Sequence, residues 1–145
     1  MCGICGEIYW DGRQAELSRL NPMLQQMEKR GPDDGGVWIR GQVGLGHRRL
    51  SIIDLSEAGH QPMHDQEFSL VFNGCIYNYQ SLTAELEALG HEFNSHSDTE
   101  VILKAYRQWG MECVQHFEGM FAFAIWDDDQ QQLLLARDRM GIKPL

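Results

Sequence analysis

Apolar and polar positions alternate, or β-branched and aromatic residues cluster, at about residues 4–9, 36–40, 43–48, 50–53, 68–72, 121–126 and 133–137, and each block predicts a strand. Helical spacing falls between them. Asn21-Pro22 reads as an N-cap followed by proline at the first helical position, leading into MLQQMEKR and stopped by Gly31-Pro32. Over residues 80–89, Leu82, Leu86 and Leu89 recur on one face, with Gly90 suited to the position after the last turn. Ser97-Asp98-Thr99-Glu100 has capping-box spacing ahead of VILKAYRQW, whose Val101, Ile102, Ala105 and Trp109 form an apolar face closed by Gly110. A short helical turn is expected over residues 112–117 and a solvated hairpin turn at WDDDQQQ. Hairpins with helices grouped between them, in place of regular strand–helix alternation, predict an α+β fold with largely antiparallel sheets.

Length and charge narrow the classes of function. The 145 residues fit one domain, 1–145, able to bury a core without staples. With 21 acidic against 12 basic residues the formal charge is -9, which repels phosphate backbones and anionic membranes, so no nucleic-acid or membrane partner is expected. No run approaches the ~20 apolar residues of a membrane span, and MCGICGEIYW lacks the basic start of a secretory signal; a cytoplasmic location follows as the expectation. There Cys2, Cys5, Cys75 and Cys113 stay reduced. The chain stops at ARDRMGIKPL without a polar tail, which predicts a cut inside a longer protein.

Cys2-Gly-Ile-Cys5 has CxxC spacing, yet zinc needs two further ligands, and neither Cys75, Cys113 nor the histidines supply a matching pair; no metal site is expected. A redox CxxC belongs at a strand end in a βαβ frame, whereas this one begins the chain. For Cys5, Cys75 and Cys113 the ordinary reading is a buried apolar side chain. Cys2 differs. Removal of Met1, usual before a small residue, exposes an α-amine of pKa about 7.7–8.0 beside a thiol of pKa about 8.5. One residue then holds both nucleophile and base. Gly3 leaves the backbone beside it open to a substrate.

In VFNGCIYNY, where a strand is expected to run into a turn, the Asn73 carboxamide and the Gly74 N–H are candidate oxyanion donors, although Asn-Gly is also an ordinary turn former. In GHRRLSI, Arg48 and Arg49 end a glycine-rich strand, where a guanidinium can clamp a carboxylate or simply be solvated. Asp98 reads locally as part of a helix N-terminus. His60 and His64, with Pro62 between them, are loop residues. Neither GxxxxGK nor GxGxxG is present, so no nucleotide site is expected.

With Cys2, RGPDDGG, GHRRLSIIDLS, FNGCIYNY, SDTEVIL and GMFAFAIWD ahead of LLLARDRMGIKPL, all in order, the sequence resembles the glutaminase domain of asparagine synthetase-like enzymes. These are class II glutamine amidotransferases, N-terminal-nucleophile (Ntn) hydrolases. The resemblance implies an αββα sandwich of two antiparallel sheets. It implies that Cys2 is the nucleophile with its own amine as base, that Asn73 and Gly74 form the oxyanion hole, and that Arg49 and Asp98 hold the α-carboxylate and α-amino group of glutamine. Leu50 and Ile52 are implied pocket contacts. Cys75 stands where many asparagine synthetases carry a glutamate that faces the substrate amine, and Lys29 where many carry histidine.

Asn-Gly-Cys with LSEAGHQPM resembles the N-acetylglutaminylglutamine amidotransferase subgroup. The resemblance also implies a C-terminal synthetase domain, outside these residues, that uses ATP and magnesium to activate an acceptor carboxylate and receives the ammonia; this chain itself needs no cofactor. The expected activity is hydrolysis of glutamine to glutamate and ammonia. Two other readings stand beside it: a different N-terminal-cysteine amide hydrolase of the penicillin- or bile-salt-acylase type, and a non-catalytic domain that keeps the fold if Met1 is never removed.

Overall fold

In the computed structural model, which describes residues 1–53 and 56–145, the patterned blocks pair into two sheets. The strands are β1 (Gly3–Ile8), β2 (Asp34–Arg40), β3 (Val43–Arg49), β4 (Met63–Asp65), β5 (Phe68–Ile76), β6 (Gly119–Asp127) and β7 (Gln132–Arg137). The helices are α1 (Leu17–Gln26), α2 (Tyr79–Ala88) and α3 (Asp98–Trp109), with 3₁₀ turns at Glu57–Gly59 and Gly110–His116. Strand order is β1-β3-β2 in one sheet and β4-β5-β6-β7 in the other, and every pairing is antiparallel.

The period of two along each strand sorts side chains between layers. Phe68, Leu70, Phe72 and Ile76 of β5, with Phe121, Phe123 and Ile125 of β6, pack under Leu82, Leu86, Val101, Ile102 and Ala105 of α2 and α3. The alternate positions Val71, Ala124 and Trp126 face the other sheet and meet Val43, Leu45, Ile4 and Ile8. On that sheet's outer face α1 lies close because Gly44 and Gly46 lack side chains: a Cβ on Gly44 would sit 2.8 Å from Leu20, and one on Gly46 would sit 3.2 Å from Leu24. The layers are helix, sheet, sheet, helix. The α+β sandwich of two antiparallel sheets is therefore what forms.

Local signals were overridden in four places. Helix α1 starts at Leu17, not at Asn21-Pro22, and carries Pro22 inside it. Leu20, fully buried against the sheet, must be helical to reach it, and that burial outweighs the hydrogen bond Pro22 cannot donate. No strand forms at residues 50–53. There the Leu50 and Ser51 N–H groups donate to Cys2 Sγ and to the Asp33 carboxylate instead of to a ladder. Asn73-Gly74 is not a turn: β5 runs through it to Ile76, with Gly74 opposite Phe121. At Ser97 half of the capping box is present, its side chain accepting from Thr99 N–H, while Glu100 turns back to accept from the Asn94 and Ser95 N–H groups. Helix α3 ends at Gly110 with φ 57°, a conformation glycine adopts freely.

Candidate active site

Cys2 immediately precedes β1, whose register places Gly3 opposite Arg48, so Cys2 reaches the end of β3. Its thiol lies against the Leu50 peptide: Leu50 N–H donates to Sγ at 3.4 Å and the thiol donates to Leu50 O at 3.6 Å. Positions three apart on a strand lie on opposite faces. Ile4 and Ile8 share the inter-sheet face of β1, whereas Cys5 turns to the α1 face, where a Cβ on Gly46 would meet its sulfur. The two CxxC thiols therefore lie apart, Cys2 at the Leu50 peptide and Cys5 on the α1 face. Burial pushes the Cys5 thiol up to about 11 and the Cys113 thiol up to about 12, which leaves both inert at neutral pH. Among the described residues no three His, Cys, Asp or Glu side chains cluster as a metal site would require.

The same parity separates the two arginines. Arg48 points outward, its guanidinium donating to Gly31 O and Glu28, while Arg49 turns inward and is 7% exposed. Arg49 is held by its donation to Ser56 O at 2.9 Å. It lines a cavity of about 410 Å³ between the sheets, and Cys2, Leu50, Ile52, Asn73, Gly74, Cys75 and Asp98 line the same cavity. All the candidate residues are thus brought together. Ile52 sits at the rim, 71% exposed. A larger cavity of about 610 Å³ adjoins it, walled mainly by Ile4, Ile8, Val43, Leu45, Val71 and Leu133, with Asn73 shared between the two. The smaller one holds Cys2, Arg49 and Asp98, whereas Glu7 and Arg30 are the charged residues lining the larger.

Asp98 opens α3 and is 4% exposed, its carboxylate accepting the Ile76 N–H at 3.0 Å. Burial pushes its pKa up to about 6, against the pull of that backbone donor. Burial and the neighbouring Asp98 charge likewise raise the Cys75 thiol, with Lys143 acting in the opposite sense. Strand β4 pairs with β5 only over Phe68–Leu70. Beyond it, the edge of β5 is served by side chains: Phe72 N–H donates to Gln61 Oε1 at 2.6 Å and Ile76 N–H to Asp98. In an antiparallel strand the N–H groups of alternate residues leave the same edge, so the Gly74 N–H points between these two, toward the cavity.

One sequence reading needs correction. Gly3 does not clear a path for substrate, because a Cβ there would strike Met27 Sδ at 2.7 Å; its smallness serves α1 packing. Gly74 is demanded by the sheet itself, since its Cβ would stand 2.3 Å from Met120 O. Three residues were missed. Arg30 Nε donates to the Cys2 carbonyl at 3.2 Å and fixes the chain start. Gln61 joins β5 to α3 through Thr99. Lys143, 5% exposed, lines the cavity with its ammonium 3.3 Å from Met1 Sδ. Arg30 and Lys143 lie within the RGPDDGG and GIKPL stretches, but nothing local shows where their charges point.

A family model described as a glutamine amidotransferase domain matches residues 1–145. The chain is 42% identical over 149 residues to asparagine synthetase [glutamine-hydrolyzing] 3 of Bacillus subtilis, covering 99% of this chain and 24% of that protein. It is 42% identical over 164 residues to a putative asparagine synthetase [glutamine-hydrolyzing] 2 of Methanocaldococcus jannaschii, covering 99% and 31%. It is 40% identical over 159 residues to amidase chry2 of Gibberella zeae, covering 100% and 24%. The chain thus spans about a quarter to a third of the length of these relatives. Among solved structures, glutamine phosphoribosylpyrophosphate amidotransferase of B. subtilis superposes with a TM-score of 0.61 at 24% identity, over 73% of this chain and 25% of that one, a likeness of fold.

Proposed function

The chain belongs to the glutamine amidotransferase domain family, as a glutaminase-type domain of the asparagine synthetase class, and from that premise we propose that Cys2, once Met1 is removed, hydrolyses glutamine in the cavity of about 410 Å³. The convergence of a buried cation, a buried carboxylate and a thiol on one small cavity carries this reading. Arg49 receives the α-carboxylate of glutamine and Asp98 its α-ammonium, which leaves the side-chain amide to reach Cys2. The thiol proton passes to the Cys2 α-amine as sulfur bonds to the amide carbon. The carbonyl electron pair moves onto oxygen, where the Asn73 carboxamide and the Gly74 N–H donate to it.

Collapse of this adduct breaks the C–N bond, and the proton held on the amine leaves with the nitrogen as ammonia. Water then attacks the γ-glutamyl thioester, gives a proton back through the amine, and frees glutamate and the thiol. Leu50 and Ile52 line the pocket, and Cys75 lies beside the amine-binding carboxylate. These steps use only the chain's own groups and water; ATP and magnesium belong to the synthetase portion of a longer protein, which takes up the ammonia. The Asn-Gly-Cys sequence, with LSEAGHQPM, supports an acceptor of the N-acetylglutaminylglutamine class for that protein.

The test is ammonia and glutamate release by the chain with Met1 removed, verified by intact mass, in EDTA and without nucleotide. Cys2→Ala abolishes release and Cys5→Ser retains it. An equally active Cys2→Ala protein would sink the mechanism. Faster hydrolysis of an acyl amide lacking the α-carboxylate and α-amine would replace glutamine as the substrate.

A further inference from the structure

Residues beyond β7 fold back to the mouth of the site and are fastened there. The Asp138 carboxylate accepts the backbone N–H groups of Ile142 at 2.8 Å, Lys143 at 3.0 Å and Phe121 at 3.2 Å. From the other side Arg137 Nε donates to Lys143 O at 2.6 Å. Both peptide groups of Lys143 are therefore held, and its side chain turns inward, 5% exposed, to line the cavity. Among the described residues no carboxylate is paired with its ammonium, which rests on Met1 Sδ at 3.3 Å. A thioether is a weak acceptor and a poor partner for a buried charge. Removal of Met1 takes that sulfur away and turns the nitrogen to which Met1 was bonded into the Cys2 α-amine. From the reach of one methionine residue, this amine stands within roughly 9 Å of Nζ.

We infer that Lys143 is a positioning residue for the hydrolysis proposed above, its ammonium close enough to the Cys2 α-amine to keep that amine unprotonated, and so able to act as the base, at neutral pH. The inference rests on the reading of the amine as the base. A second positive charge at that range disfavours protonation by about one pH unit at an effective dielectric of ~20. Three other charged side chains lie near Cys2. Arg49 at the end of β3 acts in the same sense as Lys143, and so does Arg30, whose Nε donates to the Cys2 carbonyl. Asp98 at the start of α3 acts against it until the substrate ammonium neutralises that carboxylate. The Cys2 and Cys75 thiols add charge only when they ionise. Cys75 already responds to the same two opposed charges, Asp98 and Lys143.

The experiment uses the full chain with Met1 removed, in parent, Lys143→Met, Lys143→Gln and Lys143→Arg forms with matching circular dichroism. Two readouts are taken: the pH dependence of kcat/KM for glutamine, and an NMR titration of ¹³C-labelled Cys2 Cα, which follows the amine without turnover. Lys143→Met and Lys143→Gln move the acid limb and the NMR midpoint up by about one pH unit, and Lys143→Arg restores both. Midpoints that do not move in the two neutral variants overturn the inference. If Cys2→Ala is inactive while the midpoints stay put, the glutaminase reading survives and the role of Lys143 falls. An NMR midpoint that moves in the neutral variants while the parent releases no ammonia from glutamine upholds the coupling and sinks the glutaminase reading.

Discussion

Asp98 works against the fold while it faces the candidate site. Its carboxyl has a pKa of about 6 in the folded chain, above its value in the unfolded one, because burial disfavours the charge. The folded state therefore binds the extra proton between these values, and the stability deficit, present at neutral pH, disappears as pH falls through 6 toward 4. Asp98→Asn keeps an oxygen to accept the Ile76 N–H and removes the charge. It is expected to raise stability at pH 7.5 by about 1–3 kcal/mol, read from urea unfolding, while raising KM for glutamine at least tenfold. In the parent, KM should climb as pH drops below about 6, where the carboxyl loses the charge proposed to pair with the substrate ammonium. A pH-independent KM between 5 and 8 would remove Asp98 from the amine-binding role.

Strand β5 lines the candidate site with Phe72, Asn73, Gly74 and Cys75. Its odd positions Val71, Asn73 and Cys75 face the other sheet, its even positions Phe72 and Ile76 pack under the helices, and its open edge presents N–H groups to Gln61 and Asp98. Gly74 is where β5 and β6 approach too closely for a side chain: its Cβ would lie 2.3 Å from Met120 O and 2.7 Å from Phe121 Cα. Backbone inside a four-stranded sheet cannot yield as a side-chain tip can. Gly74→Ala is thus expected to cost about 1–3 kcal/mol or more by overpacking and to shift the Gly74 N–H, lowering kcat along with the urea midpoint. A Gly74→Ala protein of parental stability would mean that the two strands tolerate separation. Neither requirement is visible in Asn-Gly read as a turn, because the residue opposite, Phe121, is far along the chain.

Across the whole molecule, His47 ties one sheet to the other. It is fully buried on β3, with Nε2 3.0 Å from Phe72 O on β5, so the neutral ring donates from Nε2 and its Nδ1 lone pair is left without a hydrogen-bond partner among the described residues. Burial lowers its pKa from 6.5 to about 4. The unfolded chain then binds a proton that the folded one does not, so this group stabilises the fold above pH 6.5 and the contribution is lost as pH falls toward 4. The loss amounts to about 3 kcal/mol. Asp98 works in the opposite direction over part of the same window. His47→Gln, which keeps a donor for Phe72 O, should flatten the fall in urea midpoint between pH 6.5 and 4. A slope identical to the parent's would assign acid lability to other groups.

The pairing of the Cys2 thiol with the amine that removal of Met1 would free was legible from its place in the chain, because their adjacency is a covalent fact that no folding alters. So were α2, α3 and the sheet-forming blocks, whose periods repeat within a few residues, and the αββα sandwich that the ordered motifs implied. Period two also says that Arg48 and Arg49 occupy opposite faces, but only the stacking of the two sheets decides that Arg49 faces inward. The start of α1 and the absence of a strand at residues 50–53 were settled by partners elsewhere, Leu20 against Gly44 and Leu50 against Cys2. Lys143 and Met1 meet from opposite ends of the chain, 142 positions apart. Local periodicity records which side chains share a face; which faces meet is set by long-range pairing and burial, and that decides where a charge points.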